Sequence, residues 1–455
     1  MAPKANSSQE QPQPNQRIGS VPNSTSGKAT QKTRSITQTN GPFTLAHSTG
    51  QHPLGGDVKS WTKAIKRRAH FYLTRGKKSG QGADFDQAAQ AYLDYARATG
   101  RLDSYNHART LLERADKLIK PATPIRLPWA AYKIAVHDFD GALQITETLA
   151  RHTTVPGKSR RAILGLHGDA LFNMGRFRDA LAAYTAANQG KPSVAGYARI
   201  AHYKRATGDL AGAKRAYDNA LKLPVPRYGP TWAWLLVMRG LLAFDYGDAQ
   251  GAIPFYEQAV SALPGWYLST EHLAEAYGEV GRIRDALTLY QLVLKTNPDP
   301  AFMDAISGLY VKLGQLQKSK SWARRARQTY ATRLADYPAL TTGHGLEYFL
   351  ENGSKATALK LAKAYFKQRP AGDGAVKYVQ ALMVVGQLSD AHAQLKPILA
   401  SPYSTPGLHG TASLLFHRLG RMTMAEQHRK RAIDLNPMAM AELDWLRDVI
   451  ARGRP

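Results

Sequence analysis

The sequence predicts an all-α solenoid of about ten helical hairpins, and two observations carry that prediction. First, a glycine is followed five residues later by a small residue in eight places: Gly175/Ala180, Gly208/Ala213, Gly247/Ala252, Gly281/Ala286, Gly314/Ser319, Gly353/Ala358, Gly386/Ala391 and Gly420/Ala425. Successive glycines lie 33, 39, 34, 33, 39, 33 and 34 residues apart, a period that marks stacked helical hairpins. Second, the 455 residues are 43% hydrophobic, enough for an extended core.

Each position has a physical reason. The glycine ends the first helix, where a left-handed backbone is needed. The small residue lies where the second helix crosses the first closely. Four residues on comes an aromatic in several units (Tyr184, Tyr217, Tyr256, Tyr290), then a second small residue (Ala187, Ala220, Ala259, Ala326, Ala432). A helix-ending proline follows at Pro192, Pro264, Pro298, Pro370 and Pro437. Two weaker units precede these, around Gly100/Ala108 and Phe139/Ala142.

The pattern Gly…Ala…Tyr…Ala…Pro resembles the tetratricopeptide repeat over residues 81–437. Gly168 and Gly240 match that repeat's close-packing glycine in the first helix, and Tyr277 and Tyr310 its first-helix tyrosine. Its early tryptophan is replaced by Leu164, Tyr197 and Leu236. The resemblance implies a right-handed superhelix with a concave groove lined by first helices. Carried over by position, the groove residues are Arg199, His202 and Arg205, then Trp234, Val237, Leu241 and Phe244, then Glu271 and Glu275 with His272 beside them. Such a surface runs from basic through apolar to acidic and suits an extended peptide or a helix. Trp234 and Phe244 can equally be core between repeats. The Lys and Asn carboxylate clamp of the chaperone-binding branch has no counterpart here.

The ends differ from the array. Residues 1–58 draw 37 positions from Gln, Ser, Thr, Pro, Asn and Gly, a composition that cannot offset chain entropy, so a disordered tail is expected. Residues 59–80 read as a basic amphipathic helix and linker. Its stripe of Trp61, Ile65, Tyr72 and Leu73 either docks on an anionic membrane or partner, or packs on the first repeat. Residues 438–455 form a capping helix, with Leu443, Leu446 and Ile450 over the last repeat.

Charge suggests an alternative partner class. The net charge is +27. Candidate polyanion contacts are Lys63, Lys66, Arg67, Arg68, Lys77 and Lys78 near the start, and Arg324, Arg325 and Arg327 in an acid-free stretch of a second helix. Nucleic acid or anionic lipid would be attracted there, although no nucleic-acid module accompanies the charge.

No catalytic signature is present. There is no phosphate loop, GxSxG or HExxH motif, and Glu271-His272 lacks the second histidine. His409 and His417 stand eight apart without a third ligand nearby. With no cysteine, thiolate metal sites and disulfides are excluded. The expectation is a non-catalytic scaffold with no cofactor, no metal and no small-molecule substrate. Neither a signal peptide nor a transmembrane helix is visible, so a cytoplasmic location is expected, with a secreted effector as the weaker alternative.

Overall fold

The computed structural model describes residues 56–119, 126–151 and 157–452. Residues 1–55 of the expected tail lie outside them. The chain starts with α1 (Val58–Ser79), whose N-cap Asp57 accepts from the Ser60 backbone N–H. Ten antiparallel hairpins follow. The first five are α2 (Gly82–Thr99) with α3 (Asp103–Leu118), α4 (Leu127–Ala135) with α5 (Phe139–Arg151), α6 (Gly157–Asn173) with α7 (Phe177–Asn188), α8 (Val194–Ala206) with α9 (Leu210–Leu221), and α10 (Pro230–Phe244) with α11 (Ala249–Ala262). The second five are α12 (Tyr267–Glu279) with α13 (Ile283–Leu294), α14 (Pro300–Lys312) with α15 (Leu316–Asp336), α16 (Pro338–Asn352) with α17 (Lys355–Gln368), α18 (Gly372–Val384) with α19 (Leu388–Leu399), and α20 (Pro406–Arg418) with α21 (Met422–Leu435). A short 3-10 turn (Ala441–Leu443) and α22 (Asp444–Arg452) close the array, with Leu443, Leu446 and Ile450 all buried.

Seven of the eight repeat glycines take the left-handed backbone their position implies; Gly353, at φ -113°, is extended instead. Gly175 and Gly208 take φ of 82° and 76° at the turn between the paired helices, a conformation that L side chains rarely adopt. At the turn after α4 that conformation falls to His137, at φ 62°. The first-helix glycine exists for contact: a Cβ on Gly168 or Gly240 would lie 2.5 Å from the ring of Tyr184 or Tyr256. Both tyrosines are almost wholly buried. These hairpins are those the tetratricopeptide resemblance implies.

The basic helix packs inward. Ile65 and Ala69 are buried against α2, and Trp61 meets Trp266 edge-on at 6.3 Å. The stripe that could have met a membrane is therefore used within the protein.

The array also closes on itself. The turn of each of the first five hairpins meets the loop or helix start about six units later. A Cβ on Gly100 would lie 2.4 Å from Asn297, and one on Gly175 would lie 2.6 Å from the Ala371 Cβ. The His137 Nδ1 lies 3.3 Å from the Ala339 carbonyl, the Ser404 N–H donates to the Ala206 carbonyl, and Asn436 Nδ2 donates to the Asp245 carbonyl. Arg369 also donates to Asn173 Oδ1. Three of these pairs are separated by 202, 196 and 191 residues, a nearly constant offset. The first turn of the superhelix thus rests on the second.

Asn436 is a sensitive point in this ladder. It is fully buried, and its side chain bonds Asp245, Glu442 and the Met438 N–H. Asn436→Ala removes all three bonds from a fully buried position. A loss of about 2–3 kcal/mol is expected by urea unfolding; a loss below about 0.5 kcal/mol would show that the contact between turns carries no stability.

Candidate functional site

The contact between turns gives the inner groove walls from both turns, around a space that stays partly open. A cavity of about 390 Å³ lies there, lined from both turns by His137, His202, Arg205, Phe244, Arg369 and Tyr403 among others. That volume lies within the range of ligand pockets. Three of the nine residues expected in the groove, His202, Arg205 and Phe244, face this space.

The others have different surroundings. Trp234, Val237 and Leu241 are at most 2% exposed and belong to the central hydrophobic core. The expectation that they present an apolar anchor is corrected: α10 has neighbours on every side, so these side chains serve packing between repeats. Arg199 is also occupied. Its Nε and Nη2 grip Asp169 bidentately at 2.9 and 2.8 Å, joining α8 to α6 in a buried ion pair. Burial raises the Asp169 carboxyl while Arg199 opposes that rise. Glu271 and Glu275 are buried on α12, and Glu271 borders a smaller recess of about 110 Å³ with Tyr267, Asn297 and Asp299.

Within the cavity, Arg205 is ion-paired with Asp245, and its carbonyl accepts from the Tyr246 hydroxyl at 2.6 Å. Arg369 differs. Its guanidinium meets Asn173, Phe139 (4.8 Å) and Tyr365 (5.8 Å), its Nε has no hydrogen-bond partner, and no carboxylate among the described residues forms an ion pair with it. Gln380, buried at the wall, donates to Thr411 Oγ1 while its Oε1 has no partner. Sequence reasoning missed Arg369 and Gln380 because both come from the second turn, about six repeats from the first-turn residues they face.

Burial depresses His202 to about 3, helped by Arg205 and Arg369. The imidazole touches cavity space, and Phe172 lies 4.7 Å from it.

Among the histidines, His409 contacts His428 at 3.0 Å rather than His417. On α12, the His272 Nδ1 lies 3.5 Å from Glu271 Oε2 and 3.4 Å from Glu275 Oε2. Burial holds His272 at about 3 and drives the Glu271 carboxyl well up, with Asp299 adding to that rise. These three residues form the cluster among the described residues able to hold a metal ion.

The basic candidates divide by exposure. Lys63, Lys66, Arg67, Lys77 and Lys78 face outward on α1, and Arg324, Arg325 and Arg327 on α15. Arg68 is corrected: it is half-buried and ion-paired with Asp94. Arg325 lies over Trp322 at 4.0 Å, and Arg327 donates to the Asn352 carbonyl. No helix among the described residues is long and apolar enough to cross a membrane.

Two expected outcomes test these assignments. Arg199→Ala strands Asp169 and should cost about 3–5 kcal/mol by denaturant unfolding, whereas a surface pair would cost under about 1 kcal/mol. For His202 the folded pKa lies below the unfolded value near 6.5. The unfolded chain therefore takes the proton first, and stability falls as pH drops from 6.5 towards 3. Between pH 7 and 5 this histidine should remove roughly 1–2 kcal/mol. His202→Gln should remove that share of the decline; an identical pH profile would refute the assignment.

No family model matches the chain, and no curated protein matches it. Similar solved structures exist. A tetratricopeptide repeat protein from Parabacteroides merdae is 17% identical, covering 56% of this chain and 98% of that one, at a TM-score of 0.34. A MamA structure is 17% identical, covering 37% of this chain and 96% of that one, at 0.32. YrrB, described as a tetratricopeptide protein with an unusual peptide-binding site, is 15% identical, covering 41% of this chain and 92% of that one, at 0.31. On its own repeat pattern and hairpin packing, this chain has a fold of tetratricopeptide-like helical hairpins.

Proposed function

We propose that the protein is a non-catalytic binding scaffold that takes a short segment of a protein partner into its interior cavity. The observation that supports this reading is the shared wall: side chains from two superhelical turns line one partly open space of about 390 Å³. That space holds one or two residues of a partner, or a chain end, rather than a long helix. The wall carries both signs: Arg369 has no carboxylate ion pair among the described residues, Glu347 and Asp373 bring carboxylates, and Phe244 and Tyr403 offer ring surface, which suits a segment with an anionic group beside a polar or cationic one.

Gly407 supplies the test. It borders the cavity, and a Cβ there would meet nothing within 4 Å. Gly407→Leu should therefore fold with little change in melting temperature while obstructing the space. The expected result is loss of the protein partner captured by the wild-type chain. Full retention of that partner by a folded Gly407→Leu chain would contradict the reading.

A second reading rests on the outward lysines and arginines of α1 and α15. There a polyanion would bind, with affinity falling steeply as salt rises because counterions are released. Reversing Lys63, Arg67 and Lys77 to Glu should flatten the slope of log affinity against log salt by about 3 for duplex DNA. An unchanged slope would remove these residues from any such interface.

A further inference from the structure

We propose that Glu271, His272 and Glu275 bind a divalent first-row transition-metal ion inside the superhelix. The three residues lie on α12 at i, i+1 and i+4, and each offers a donor atom within 4.8 Å of the others. The His272 Nδ1 stands 3.5 and 3.4 Å from the two carboxylates. Ligand atoms at the corners of a tetrahedron with bonds of about 2.0–2.1 Å are separated by about 3.3–3.4 Å. The donor atoms therefore need little movement to share one ion.

Independent features point to a bound cation. Glu271 is only 2% exposed, yet its Oε1 has no hydrogen-bond partner. Beside the cluster, the Tyr256 ring stacks on the His272 imidazole at 5.6 Å and 19°. Tyr256 is fully buried, and its hydroxyl is also without a partner. Buried polar atoms are ordinarily satisfied, so two orphans beside one donor cluster require a reason. Asp299, which borders the same recess as Glu271, is ion-paired with Arg333.

The donor set selects the class of ion. One imidazole and two carboxylates suit Zn²⁺, Mn²⁺, Fe²⁺ or Co²⁺ better than ions that prefer all-oxygen shells or thiolates. Three protein donors leave a further coordination position, and an ion-bound water there could serve the Tyr256 hydroxyl. The smaller recess borders the cluster at Glu271.

The test uses the full chain, stripped with chelator and titrated with Zn²⁺ by calorimetry. One ion per chain is expected at this site. Glu271→Gln with Glu275→Gln, which keeps shape and removes charge, should weaken binding by more than ~100-fold. His428→Gln, which breaks the His409–His428 contact away from this cluster, should leave it unchanged. Absence of stoichiometric binding to the wild-type chain overturns the proposal. So does binding that survives the double variant, or that disappears with His428→Gln. Should the double variant fail to fold, electron paramagnetic resonance of Cu²⁺ on the wild-type chain decides. One coordinated imidazole nitrogen supports the site, and two or more contradict it.

Discussion

Contact between successive turns of the superhelix governs the shape of every surface in this protein. A hairpin array that never met itself would present its first helices to solvent along an open groove. Here hairpin turns of the first superhelical turn meet loops of the second at Gly100, His137, Gly175, Ala206 and Asp245. The nearly constant sequence offset follows from a regular repeat: if each hairpin adds the same rotation and rise, one contact between turns implies the others. Small residues at the contact let the backbones approach, and Asn436 and Arg369 add side-chain bonds where they diverge.

Closure also explains the burial of charge. Asp169 with Arg199, Arg205 with Asp245, and Glu271 with His272 and Glu275 all occupy first-helix positions that would be wet in an open groove. Taking an ion pair out of water costs about as much as the pair returns, so such groups persist only with good geometry or another partner. The bidentate Arg199 grip has that geometry. The α12 cluster has two acids and a neutral imidazole instead, which is why a cation there would matter to the fold as well as to any ligand.

The repeat was legible because its signals are local. Turn glycines, crossing alanines and tyrosines recur within one hairpin, so the period alone located the units and the cap formed by Leu443, Leu446 and Ile450. The interior was legible only in part. Position within the repeat correctly placed His202, Arg205 and Phe244 on the inner side. It could not separate them from Trp234, Val237 and Leu241, since burial there depends on neighbours across the whole array. Likewise Arg369 and Gln380 face the first turn only through closure. For the basic helix, the stripe was visible and Ile65 packs on the neighbouring α2, but the Trp266 that Trp61 meets, on α12's leading loop, is about 200 residues away.

Closure is open to direct measurement because the chain has no cysteine of its own. A Cβ on Gly208 would lie 3.3 Å from Ser404 Oγ, close to the span between a Cβ and the far sulfur of a disulfide. Gly208 takes φ 76°, a strained place for cysteine, so the Gly208→Cys, Ser404→Cys chain is first required to melt as the wild-type chain does; mild oxidation should then form an intrachain disulfide in high yield at low protein concentration. Two thiols that both remain free to alkylating reagent under those conditions would show the turns apart, and would contradict the shared interior from which this account derives its function.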